Sequence, residues 1–252
     1  MPRNAITPYR SALDTLAQRL GLRLLPTWRL KDWHAARRLG TLLRDLQIDC
    51  VLDVGANRGQ YRDFLRTEVG YHGLIYSYEP QQARCDEMAR RRGEDFHWQI
   101  TRTALGREPG LLPLRVTEQD MFSSLLPPRT DAVAKMTGYN TTAAIEEVPV
   151  NTLRAVWPAV RAASGATRAF LKIDTQGFDL EVLAGAGDTL AEVPLIQTEL
   201  SVQPLYAGAP SYLDAIAALT GRGYVLAGLH PVSVDGAHLV EVDGLFVRQE
   251  AR

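Results

Sequence analysis

The sequence predicts an α/β protein with a doubly wound, mostly parallel sheet. Three observations carry that expectation: short apolar runs alternate with helical stretches, acids and glycines stand where those runs end, and 252 residues suit one core with an added terminal segment.

The elements follow in order. From Ser11 to Gln47 the apolar residues Leu13, Leu16 and Leu20, then Leu39, Leu42, Leu43 and Leu46, recur at helical spacing around a break near Gly21 and Pro26. Residues 1–47 therefore read as an N-terminal helical extension, and residues 48–252 as the main domain. The extension is basic through Arg19, Arg23, Arg29, Lys31, Arg37, Arg38 and Arg44. Such a stretch either caps the sheet with a solvated face or meets an anionic membrane surface or a phosphorylated carrier. Strands are expected at Cys50 to Ala56, Leu74 to Glu79, Phe96 to Ala104, Ala169 to Asp174, Leu195 to Leu200, Tyr224 to Leu229 and Leu239 to Arg248, with helices over Gly59 to Val69 and Gln81 to Arg92. The segment from Pro231 to His238 is too short for a helical crossover, so the last two strands form an antiparallel hairpin. Between residues 119 and 148 the periodicity fails, and a lid or acceptor loop is expected there.

Composition removes several function classes. With 28 Lys and Arg against 29 Asp and Glu, the formal charge is -1, so no global field favours nucleic acid. Cys50 and Cys85 form no CxxC pair, which suggests neither a disulfide framework nor a zinc cluster and fits a cytoplasmic protein. The five histidines show no metal-ligand spacing. No apolar run reaches the roughly 18 residues that span a bilayer. A small-molecule or carbohydrate acceptor is the expected partner, and the fold admits a homodimer.

The chemistry-bearing residues lie at strand ends. In Val51-Leu-Asp-Val-Gly-Ala-Asn-Arg-Gly-Gln an apolar strand runs into a glycine turn and then a helix, so that Gly55 and Gly59 let backbone approach a ligand while Asp53 can meet an ammonium group. Asn57 breaks the G-x-G-x-x-G dinucleotide pattern and weakens a nicotinamide-dependent oxidoreductase reading. Glu79, before Pro80, can accept hydrogen bonds from both hydroxyls of a ribose. Asp174, in Leu171-Lys-Ile-Asp-Thr-Gln-Gly, either caps a helix or serves as a base at the ligand-binding edge of the sheet. Glu199 ends a further strand on that edge. Two carboxylates there would supply a proton acceptor or accept a divalent cation such as Mg. His230 is a second candidate base.

At these residues the chain resembles the FkbM family of S-adenosylmethionine-dependent methyltransferases. The matching blocks also include Thr103-Ala-Leu-Gly, Ser123-Ser-Leu-Leu, Gln197-Thr-Glu-Leu-Ser and Asp243-Gly-Leu-Phe-Val-Arg. The resemblance implies a class I (Rossmann-like) methyltransferase fold, a seven-stranded sheet with helices on both faces and its last strand antiparallel. It implies that Asp53, Gly55, Ala56, Asn57, Gly59 and Gln60 hold the methionine end of S-adenosylmethionine, Glu79 and Pro80 its ribose, and Ala104 and Leu105 its adenine. Thr103 departs from the acid that related enzymes carry near the adenine. The acceptor is expected to be a hydroxyl of a sugar, glycan or polyketide-type product, oriented by Ser123, Ser124, Lys172 and Gln176, with Asp174 and Glu199 handling its proton. An amine acceptor is the rival within the family.

Overall fold

The computed structural model describes residues 30–129 and 141–249. In chain order its elements are α1 (Leu30–Asp45), β1 (Cys50–Val54), α2 (Gln60–Phe64), β2 (Leu74–Tyr78), α3 (Gln82–Arg92), β3 (Trp98–Thr101), β4 (Ala104–Leu105), β5 (Gly110–Thr117) and β6 (Thr142–Asn151). Then come α4 (Leu153–Ser164), β7 (Ala169–Ile173), α5 (Asp179–Ala184), β8 (Leu195–Ser201), α6 (Tyr212–Thr220), β9 (Tyr224–Asp235) and β10 (His238–Arg248). Helix α2 runs on into a π-helical turn, Leu65–Val69.

Seven strands form one sheet in the order β3-β2-β1-β7-β8-β10-β9. Strands β1, β2, β3, β7 and β8 pair in parallel, while β10 is antiparallel to both β8 and β9. This is the class I methyltransferase arrangement, with the expected hairpin at its end. Both faces are covered, which is why β1 and β7 are buried at every position and read as unbroken apolar runs. Cys50, Leu52, Val54, Leu171 and Ile173 face one way and pack against Trp157 of α4, Val182 of α5 and Leu219 of α6. Val51, Phe170 and Leu195 face the other way, beneath Leu39, Leu42 and Leu43 of α1, Leu65, and Met88 of α3. The part of the N-terminal extension that is described is thus a helix seated on the sheet; residues 1–29, with Arg19, Arg23 and Arg29, lie outside the described residues.

Chain order reverses between β1 and β7, and there the ends of the two strands meet. Asp174 N donates to the carbonyl of Val54 at 3.0 Å, and a Cβ on Gly55 would lie 1.8 Å from the carbonyl oxygen of Asp174. With φ at +79°, Gly55 admits no side chain on either count.

Three expectations need correction. Residues 119–148 are not one loop: Asp120–Phe122 form a 3-10 turn, residues 130–140 lie outside the described residues, and Thr142 onward belongs to β6. Strand β6 pairs with β5 and β4 in a small separate sheet. Most of its first seven residues are exposed, so it lacks the apolar alternation that marks a half-buried strand. The expected strand from Phe96 to Ala104 is two strands, with β3 in the large sheet and β4 in the small one. Finally, β9 does not stop at Leu229 but continues through Pro231 to Asp235. It is the edge strand, where a residue without an N–H is tolerated.

Candidate active site

The C-terminal ends of β1, β2, β7 and β8 and the N-terminal half of the antiparallel β10 open into a cavity of about 440 Å³, closed from above by residues 121–125 and by Val232 and Ser233 of β9. The volume is that of a small-molecule site.

One end is built by the turn after β1. Asn57 takes a left-handed conformation, φ +48°, which asparagine tolerates better than most residues. Its backbone N–H donates to Glu79 Oε2 at 2.8 Å, and Gln81 N–H donates to Glu79 Oε1 at 2.9 Å. Glu79 is 5% exposed. Burial pushes its pKa up to about 7 against the pull of the Gln81 and Asn57 N–H groups. Gly55, Ala56, Gln60, Pro80, Ala104 and Leu105 line the same end. Thr103 spends its hydroxyl on the carbonyls of Ala104 and Pro149, at 2.9 and 3.1 Å.

Parallel register sets a polar row across the sheet. Ser77, Asp53, Lys172 and Gln197 stand side by side on adjacent strands, on the face that carries α2. Lys172 Nζ lies 3.4 Å from Asp53 Oδ1 and 3.3 Å from Asp174 Oδ2. Burial opposes its charge, but Asp174, Asp53 and Asp243 outweigh burial and hold its pKa above the usual lysine value. Ser77 Oγ donates to Asp53 Oδ2 at 3.0 Å and receives the Trp98 indole N–H at 3.0 Å. Tyr61 donates to Gln197 Oε1 at 2.6 Å, and Gln197 bonds Asp243.

The other end is acidic. Asp174, Glu199, Glu241 and Asp243 all line it, with Lys172 as their neighbouring cation. Burial, and then the charges of Asp174 and Glu241, push Glu199 well above the usual carboxylate range. Burial also lifts Asp243 to about 7 and Glu241 to about 6. Gln176 Nε2 donates to Asp174 Oδ1 at 3.1 Å and to Glu199 Oε2 at 3.0 Å. Ser123 accepts a hydrogen bond from Thr117 N at 3.2 Å, while Ser124 donates to the carbonyl of Gln176 at 2.7 Å.

Most residues expected from the sequence therefore meet at one cavity, and three do not line it. Asp53 is fully buried beneath the floor, where its neighbours are Lys172 and Ser77. Gly59 (φ +78°) begins α2 and packs against Trp98, whose ring carbons would stand 2.7 Å from an added Cβ. Gly59→Ala should thus lower stability by about 2–3 kcal/mol through strain and overpacking, a fall in Tm of roughly 5–10 °C by thermal melt. His230 stands mid-strand opposite Asp243, and burial, followed by the influence of His34 on α1, depresses its pKa. Tyr61, Gln81, Gln197, Glu241 and Asp243 were not singled out by role, although Tyr61, Gln197 and Asp243 sit in or beside blocks that carry the resemblance.

Among the described residues, no group of three or more His, Cys, Asp or Glu is arranged to hold a metal ion, and no helix is long and apolar enough to cross a membrane.

The family model for the methyltransferase FkbM domain matches residues 53–226. No curated protein matches the sequence. Among solved structures, an uncharacterized protein from Listeria monocytogenes is 6% identical, with 90% of this chain and 69% of that chain covered and a TM-score of 0.47. A SAM-dependent methyltransferase from Aquifex aeolicus is 12% identical, with coverages of 93% and 97% and a TM-score of 0.39. Magnesium protoporphyrin IX methyltransferase from Synechocystis is 9% identical, with coverages of 95% and 92% and a TM-score of 0.42. The family rests on the sequence match, not on these likenesses.

Proposed function

This chain belongs to the FkbM methyltransferase family, and we propose that it methylates a hydroxyl oxygen of a sugar, glycan or polyketide-type acceptor with S-adenosylmethionine as donor. The donor fits the residues present. Asn57 Oδ1 is buried with no hydrogen-bond partner among the described residues, an acceptor suited to an ammonium group, and the Glu79 carboxyl beside it suits a ribose diol. Asn57, Gly55, Ala56 and Gln60 would hold the methionine end, Glu79 and Pro80 the ribose, and Ala104 and Leu105 the adenine.

When bound, S-adenosylmethionine supplies a methyl group already activated on a sulfonium, so the protein's tasks are alignment, exclusion of water and removal of one proton. Asp174 carries the hydroxyl reading. Its carboxyl is half-buried at the acidic end of the cavity, braced by Lys172 on one oxygen and Gln176 on the other. A hydroxyl gives up its proton far less readily than a protonated amine, and a fixed carboxylate within hydrogen-bond reach serves that need. Ser123 and Lys172, which line the same cavity, would orient the acceptor. Met121, Phe122 and Leu125 supply an apolar cover against water. The full chain, given methyl-labelled S-adenosylmethionine with a panel of sugars, nucleotide sugars and polyketides, should yield an oxygen-linked methyl product by mass spectrometry. Transfer to nitrogen alone would overturn the hydroxyl reading.

A further inference from the structure

Tyr206 stands outside the cavity wall, yet its hydroxyl reaches two parts of it. The ring is buried in a small cluster with Leu205 and Val240, against Phe122, Leu126 and Ala209. The phenolic oxygen lies 2.9 Å from Gln176 Oε1 and 2.8 Å from the carbonyl oxygen of Phe122, one of the residues that close the cavity from above.

Gln176 is itself tightly specified. Its backbone is left-handed, φ +54°, and its carbonyl accepts from the buried Ser124 hydroxyl at 2.7 Å. Its amide has one admissible orientation. Two carboxyl oxygens face one end of it, so that end is the NH2, and the oxygen at the other end faces the Tyr206 hydroxyl, whose single proton it shares with the carbonyl oxygen of Phe122. The two N–H groups of one planar amide then bond one oxygen of Asp174 and one of Glu199. A hydroxyl on the segment after β8 thereby sets a side chain that grips both carboxyl groups.

We propose that Tyr206 is a positioning residue: acting through Gln176, it fixes the directions in which Asp174 and Glu199 face the acceptor. The inference rests on the reading that these carboxyls serve methyl transfer. Its physical weight lies in geometry, because a misplacement of about 1 Å at the reacting centre costs on the order of 100-fold in rate. The charged groups facing Glu199 are Asp174 and Lys172 from the end of β7, Asp179 from α5, and Glu241 and Asp243 from β10. Against that surplus of anions, the Gln176 N–H favours the ionised form of Glu199.

Carboxyl titration reads this contact without an acceptor. The full chain, labelled with 13C at the Asp and Glu carboxyls, is titrated by NMR as wild type, Tyr206→Phe and Gln176→Asn, with Glu199 assigned through Glu199→Gln. Loosening or losing the amide contact should raise the Glu199 midpoint by about half a pH unit or more in both variants. Asp95, bonded by Arg62 and Arg66 elsewhere, should not move. A purely structural role for Tyr206 would lower Tm without moving Glu199. A Glu199 midpoint that stays or falls in folded Tyr206→Phe overturns the proposal; if that variant does not fold, Gln176→Asn decides by the same measure. Calorimetry with S-adenosylhomocysteine on the same wild-type sample tests the methyl-transfer reading separately, since absent uptake would sink that reading and leave the titration result standing.

Discussion

Asp174→Asn should lower turnover by roughly 100- to 10,000-fold while the affinity for S-adenosylhomocysteine changes by less than about threefold. The asymmetry follows from the layout of the cavity. Asp174 faces the acidic end, whereas the groups assigned to the donor lie on the turn after β1 and at the end of β2. Asparagine keeps the shape and can still bond Gln176, but it cannot take a proton at neutral pH. Removing this charge does not orphan Lys172, which retains Asp53 at 3.4 Å and the carbonyl of Gly55 at 3.5 Å. The fold should therefore survive with a loss of about 1 kcal/mol. Steady-state rates with an acceptor from the panel, set beside calorimetric donor affinity, check both halves. Wild-type turnover in the variant would remove Asp174 from the proton's path.

The parts of this site that were legible in the sequence share one physical origin. A parallel strand covered on both faces is written as an unbroken apolar run, and a turn at its end needs glycine or an acid, so Cys50–Val54 and Ala169–Ile173 announce themselves along with Gly55 and Asp174. Register is not written in the same way. Asp53 and Lys172 are 119 positions apart, and only the β1–β7 pairing makes them neighbours, so nothing in the spacing showed that Asp53 is a buried counter-charge of Lys172. The small sheet escaped for a different reason. Residues of β5 and β6 such as Leu111 and Ile145 are largely exposed, and a strand exposed on both faces carries no period to read. Gly59 was assigned by its place in a glycine turn, but the Trp98 ring that excludes a side chain there comes from β3, 39 residues away.

The second large effect is expected at Glu79. Glu79→Gln should weaken S-adenosylhomocysteine binding between roughly 10- and 100-fold, because hydrogen bonds to a charged acceptor contribute about 1.5–3 kcal/mol. The amide also meets trouble with its own turn. The N–H groups of Asn57 and Gln81 each need an acceptor, and glutamine offers only one oxygen where the carboxylate offers two. The wild-type protein should show the same dependence through pH. Burial lifts Glu79 to about 7, while a ribose diol donating to it favours the ionised form, so binding must expel a proton whenever the pH is lower. Affinity should thus be flat above pH 7 and fall by up to about tenfold per unit below it. Stability of the ligand-free protein runs the other way. The folded chain keeps this proton up to about 7 and the unfolded chain releases it near 4.5, so the contribution of Glu79 to stability increases as pH falls through that window. In Glu79→Gln the slope of affinity against pH should drop by about one proton, and any residual slope comes from other carboxyls that burial raises into this range, among them Asp243 at about 7. Calorimetry between pH 5.5 and 8.5, roughly the range that brackets both groups, measures it. An unchanged slope in the variant would take Glu79 out of the donor site.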